Sequence, residues 1–204
     1  SSFAIFWIIK MRHNIIKRLD DALAGILHLI WRQNIDKIIT ANMAVLGAVS
    51  GTGWGGGIAI TNSTVLVQNN HIANNIADSA PSATGYGGGV YVHASSSQLV
   101  GNRILDNRTS GGGAGFGGGI YAIHSPGVVV DGNTLGDNTA EDDGGGLYVE
   151  LSDDASISDN HIYSNTATTR NGGGICLEDS DDVSLARNTL LHNQARYGGA
   201  MYLH

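Results

Sequence analysis

Two glutamates, Glu150 and Glu178, stand 28 residues apart in nearly identical surroundings, "LYVELSDD" and "ICLEDSDD". Paired carboxylates are the groups that cleave glycosidic bonds, one supplying a proton while the other attacks or activates water. Beside them lie Asp153, Asp154, Asp181 and Asp182, whose oxygens suit a hard cation such as Ca²⁺. Tyrosines recur at 91, 121 and 148, and a tyrosine ring offers a flat amphipathic face on which a sugar can lie. Further aromatics, Trp54, Tyr86, Phe116 and Tyr197, each directly precede glycines. His71 and His161 occupy equivalent repeat positions three repeats apart, and His93 and His124 stand on adjacent repeats but out of step, so neither pair is taken as a metal or triad site. Cys176 is the single cysteine, which excludes an internal disulfide. No Lys or Arg stands beside the two glutamates and no catalytic motif surrounds them, so no catalytic residue is assigned.

A repeat must position these groups. Glycine triplets begin at Gly55, Gly87, Gly117, Gly144 and Gly172, and Gly198-Gly199-Ala200 makes a sixth, giving intervals of 32, 30, 27, 28 and 26 residues. Asparagines follow each of the first five triplets in an N-x-[IL]-x-x-N spacing: Asn70 and Asn75, Asn102 and Asn107, Asn133 and Asn138, Asn160 and Asn165, Asn188 and Asn193. Apolar residues alternate between these markers as strand residues do, one inward and the next outward. Aligned inward columns read Ile58, Val90, Ile120, Leu147, Ile175, Met201 and Val67, Leu99, Val130, Ile157, Leu185. Three short strands per repeat make one coil of a parallel solenoid, in which glycines allow tight corners and asparagines stack on their copies. Aligned in this way, Asp153 lies over Asp181, Asp154 over Asp182, and Asp159 beside Arg187, while Tyr91, Tyr121 and Tyr148 form one outward column.

Length varies at one corner. Between the second asparagine and the next triplet lie 11, 9, 5, 6 and 4 residues in successive coils. Insertions gathered on one edge build a loop-rich face, where such scaffolds carry function. The two long loops, 76–86 and 108–116, are neighbours.

The glycine, asparagine and aliphatic columns over residues 54–204 resemble the right-handed parallel β-helix repeats of the pectin-lyase-like superfamily. More loosely they are similar to the GGA-[ILV] and FxxN repeats of bacterial polymorphic outer-membrane proteins: "GGAM" matches the first, and Ile or Leu stands where the second has Phe. The resemblance implies a right-handed coil, as the crossover rule does. It also implies a carbohydrate-directed role, since carbohydrate-active members use carboxylates as acid and base, or Ca²⁺ with a basic residue.

Residues 1–47 differ in character. Ile15, Ile16, Leu19, Leu23, Ile26, Leu27 and Ile30 recur at helical spacing, which predicts an amphipathic helix that caps the solenoid or docks on a membrane surface or partner protein. "IDKIITANMAVLGAV" then forms an irregular first coil. The charge of −7 concentrates after residue 40, where five Lys and Arg face fifteen acids, so nucleic acid is excluded as a partner. "GGAMYLH" stops after one strand, which leaves the last coil open to stacking.

The expectation is an all-β solenoid of five to six coils, with a helical segment over 1–47 and β-helix repeats over 48–204. Its expected function is non-catalytic: a secreted or cell-surface scaffold, bacterial, binding glycans or a partner protein through Tyr86, Tyr91, Phe116, Tyr121 and Tyr148. Alternatives are a polysaccharide lyase, glycoside hydrolase or epimerase, and a structural assembly module. Calcium at Asp153, Asp154, Asp181 and Asp182 is the candidate cofactor.

Overall fold

The computed structural model describes residues 27–28, 38–40, 42–44, 51–78, 82–109 and 112–204. Every strand pairing is parallel, and partners lie one coil apart, so the chain is a parallel β-solenoid. Sheet A holds seven strands: Leu27–His28, Ile58–Thr61, Val90–His93, Ile120–Ile123, Leu147–Glu150, Ile175–Glu178 and Met201–Leu203. Sheet B holds five, from Leu66–Gln68 to Ser184–Ala186, and sheet C six, from Ile38–Thr40 to Thr189–Leu191.

Two further sheets escape the alternation pattern. Sheet D stacks five two-residue strands directly after the second asparagines, among them Ile76–Ala77, Arg108–Thr109 and Thr139–Ala140. Sheet E stacks Thr52–Trp54, Thr84–Tyr86 and Gly115–Phe116 before the glycines. A coil therefore carries up to five strands where three are expected. Two residues are too short for period-2 patterning to register.

The inward columns form the core. Ile58, Leu99, Ile104, Leu135, Leu147, Ile157 and Ile162 are among its fully buried side chains. Each such burial contributes about 1.5–3 kcal/mol. Polar corners close the tube. Asn102 donates its backbone N–H and one Nδ2–H to Asn133 Oδ1, at 2.8 and 3.0 Å, and the other Nδ2–H to Val67 O of the preceding coil at 2.9 Å. The Asn75–Asn107–Asn138–Asn165–Asn193 column repeats this arrangement. A third ladder runs through serine, with Ser125 N–H donating to Ser152 Oγ at 2.9 Å and Ser152 N–H to Ser180 Oγ at 3.0 Å.

Glycine is required where sheet A begins. Gly117 has φ +64, and a Cβ on Gly118 would meet Gly145 O and Thr139 C at 2.5 Å, because the chain passes directly over its own sheet D strand.

The N-terminal expectations meet strands. Ile38–Thr40 pairs with His71–Ala73, and Met43–Ala44 with Ile76–Ala77, as the irregular first coil requires. Leu27, placed by its spacing in an amphipathic helix, instead pairs with Ile58 as part of sheet A. Strand pairing thus extends to the N-terminal side of residue 47. The remaining helical positions, Ile15, Ile16, Leu19, Leu23, Ile26 and Ile30, lie outside the described residues.

Candidate functional site

The outer face of sheet A holds an aromatic groove. In-register pairing stacks Ala59, Tyr91, Tyr121, Tyr148, Cys176 and Tyr202 into one column that points away from the core. Trp54, Tyr86 and Phe116 stack beside it on sheet E. The glycine corner turns the chain between the two columns, so sheet E rings lean over sheet A rings. Tyr86 stacks on Phe116 with centroids 5.4 Å apart and on Tyr121 at 5.3 Å, and Tyr121 stacks on Tyr148 at 5.0 Å.

This packing corrects the picture of tyrosines displayed to solvent. Tyr91, Tyr121 and Tyr148 are 9%, 3% and 3% exposed and form a second apolar cluster with Ala59 and Cys176, partly covered by Tyr86 and Phe116. They are the floor of a groove of about 500 Å³. Trp54, Tyr86 and Phe116 make one wall, with Trp54 39% exposed, and His93, His124 and Glu150 stand on the other. The long loops contribute that first wall, because Tyr86 and Phe116 are their last residues. Loop corner and tyrosine column therefore belong to one site.

The glutamates sit at the end of sheet A strands, Glu150 in register with Glu178. Neither carboxylate is free of partners. The Tyr121 hydroxyl donates to Glu150, and the Tyr148 hydroxyl donates to Glu178 from one coil before. Burial, then these bonds, push both tyrosine hydroxyls well above their ordinary value, so they remain protonated donors. Tyr91 is pushed up to about 12 by burial, with Tyr86 and Glu150 adding to the shift.

Beyond Phe116 the wall changes. Asp143 takes the next position of that column, bridged to Phe116 and buried, which raises its carboxyl above the usual range. Asn171 N–H donates to it at 3.0 Å and Arg170 approaches at 3.8 Å, both of which oppose that rise. Burial and the neighbouring Asp143, Glu178 and Glu150 push the Cys176 thiol up, so it is an inert packing residue rather than a nucleophile.

The aspartates lie apart from the groove. Asp153, Asp154, Asp181 and Asp182 are exposed, and Asp153 Oδ1 accepts the Asp181 N–H at 2.9 Å. Asp154 and Asp182 adopt left-handed φ of 58 and 54, as Gly127 does one coil earlier at 67, so a turn selects these residue types. Among the described residues no group of three or more His, Cys, Asp or Glu side chains is placed to hold a metal. His71 and His161 share a column of sheet C, three coils apart. His93 and His124, one position out of register, nevertheless meet edge to face at 5.9 Å, because His124 turns out at the corner with φ 47.

No curated protein and no solved structure matches the chain. The family described as the right handed beta helix region matches residues 48–204. That span contains all five glycine triplets, both asparagine ladders and the whole groove, and the chain belongs to the right-handed β-helix family.

Proposed function

We propose that this β-helix is a non-catalytic glycan-binding scaffold of the cell surface or secreted space, and that the groove on the outer face of sheet A is its binding site. One observation carries the reading: aromatic rings from four consecutive coils floor and wall a single open groove. Coils rise about 4.8 Å each, so the groove presents a linear series of apolar faces matched to a chain of sugar rings. The loop-rich corner supports the same reading, since it supplies Tyr86 and Phe116.

The test removes two wall rings and keeps every tyrosine of the floor in the chain. Retention on a panel of neutral, basic and acidic polysaccharides should be strong for the native chain and lost in the Trp54→Ala, Phe116→Ala double variant. Undiminished retention in that variant would overturn the groove as the site. Repeating the panel with Ca²⁺ and with chelator tests the Asp153, Asp154, Asp181 and Asp182 set.

A second reading is glycoside hydrolysis or lysis. Glu150 and Glu178, side by side at the groove's end with tyrosine hydroxyls on their carboxylates, favour it. New reducing or unsaturated chain ends, absent from Glu150→Gln and Glu178→Gln variants, would establish it in place of pure binding.

A further inference from the structure

Among the described residues that line the groove, Glu150 is the one carboxylate and none is Lys or Arg; His93 and His124 stand with Glu150 on the same wall. Negative charge continues along the same face: Glu178 follows Glu150 in register, and Asp143 follows Phe116 on the opposite wall. Arg170 on that side reaches toward Asp142 and Asp143 at 3.4 and 3.8 Å, and its side chain is 61% exposed. Glu150 adds to burial in raising the hydroxyls of Tyr86 on the wall and Tyr91 and Tyr121 on the floor.

These features discriminate among glycans. A sugar bearing a carboxylate would bring a second negative charge against Glu150, with no lysine or arginine among the described lining residues to receive it. A sugar bearing an amine would find a carboxylate for a charge-assisted hydrogen bond and electron-rich ring faces for its ammonium. One tyrosine hydroxyl leaves acceptor positions on Glu150, since a carboxylate has about four lone-pair sites. The open groove spans several coils, which suits a polymer better than a small cation.

We infer that the groove takes a basic glycan, a chain of amino sugars with free amines, seated with its ring faces on Tyr86, Phe116 and the tyrosine floor and one ammonium at Glu150, and that it rejects polyuronates. This inference rests on the glycan reading above and gives it a substrate class.

Calorimetric titration of the whole chain with hexamers of glucosamine, N-acetylglucosamine and galacturonate, in one neutral buffer, tests it. The glucosamine hexamer should bind about tenfold or more tighter than the acetylated one, and the galacturonate hexamer should show no binding. Glu150→Gln keeps an acceptor for the Tyr121 hydroxyl; it should abolish the amine preference, so that the glucosamine and N-acetylglucosamine hexamers bind it alike. Asp106→Asn changes an exposed acid away from the groove and controls for attraction of a polyamine to a chain of net charge −7; the preference should survive it. Preference that survives Glu150→Gln, or is lost equally in Asp106→Asn, overturns the assignment to Glu150. Binding of the acetylated or uronate hexamers without amine preference overturns this inference and leaves the glycan reading standing. Absence of binding to all three overturns both.

Discussion

The inside and the outside of sheet A follow opposite rules. Inward, each column holds one kind of residue from coil to coil: Ile58, Val90, Ile120, Leu147 and Ile175 are all aliphatic and all fully buried. Outward, the equivalent column runs Ala59, Tyr91, Tyr121, Tyr148, Cys176, Tyr202, and the column beside it changes from Trp54, Tyr86 and Phe116 to Asp143. Uniformity is what stacking requires, because each residue is its neighbour's packing partner or hydrogen-bond partner. Variation marks where the fold tolerates choice, and there a groove of definite length and polarity has formed.

If the uniform columns carry stability, breaking one should cost far more than breaking the groove. Asn138→Ala removes the acceptor of Asn107 N–H and Nδ2–H, at 3.0 Å each, and the donor to Ile104 O at 2.8 Å, all in the buried ladder. Orphaned buried groups cost about 1–3 kcal/mol each, so a loss of roughly 4 kcal/mol or more is expected in denaturant unfolding. Gly118→Val should prevent folding outright, since even a Cβ there lies 2.5 Å from backbone. Trp54→Ala, at a 39% exposed wall position, should lower stability by about 1 kcal/mol at most while weakening glycan retention. Comparable losses from Asn138→Ala and Trp54→Ala would erase the distinction.

The floor of the groove lies between these extremes. Tyr121→Phe keeps the stacked ring but removes the donor to Glu150, so about 1.5–3 kcal/mol is expected for a hydrogen bond to a charged acceptor. The tyrosines also set an alkaline limit. Their hydroxyl values are raised on folding, so the stability they confer is complete below the ordinary tyrosine value near 10 and falls as pH rises above it, through about 12 for Tyr91. Each tyrosine held neutral contributes a slope of about 1.4 kcal/mol per pH unit in that window. A stability profile that stays flat from pH 10 to 12 would show that Tyr91, Tyr121 and Tyr148 reach solvent.

How much of this could be read from the sequence follows the same division. Columns such as Val67, Leu99, Val130, Ile157 and the two asparagine ladders are legible because every coil repeats the same demand. The residue before each ladder asparagine is left-handed, as at Asn69, Gly101, Gly132 and Asp159, and the run of Asn, Gly and Asp at that position was a readable signal of it. Trp54, Tyr86 and Phe116 resist such reading. The left-handed glycine corner breaks the alternation that would orient them, so nothing local reveals that Tyr86 and Phe116 cover the tyrosines. Alternation points Tyr121 away from the core correctly, but exposure depends on a second column that it does not orient. Leu27 fits a helical spacing because two residues of strand leave no period to compete with it.

Outside both regions lies the weakest expected effect, a ladder rung on bare surface. Asp159 accepts from Arg187 Nε and Nη2 at 2.7 and 2.6 Å, the geometry of a two-pronged pair, and stands in the left-handed corner column where earlier coils have Asn69, Gly101 and Gly132. The Arg187 guanidinium holds the Asp159 carboxyl below its ordinary value, so any stability gained is present at neutral pH and lost as pH falls through the lowered value. Both side chains are solvated, and water and salt screen the attraction. Arg187→Gln should therefore leave the unfolding midpoint unchanged at physiological salt, with a small decrease only at low ionic strength and neutral pH. A loss at high salt that matches the asparagine variants would mean that repetition itself, on any face of the coil, sets stability, and that burial does not decide which columns matter.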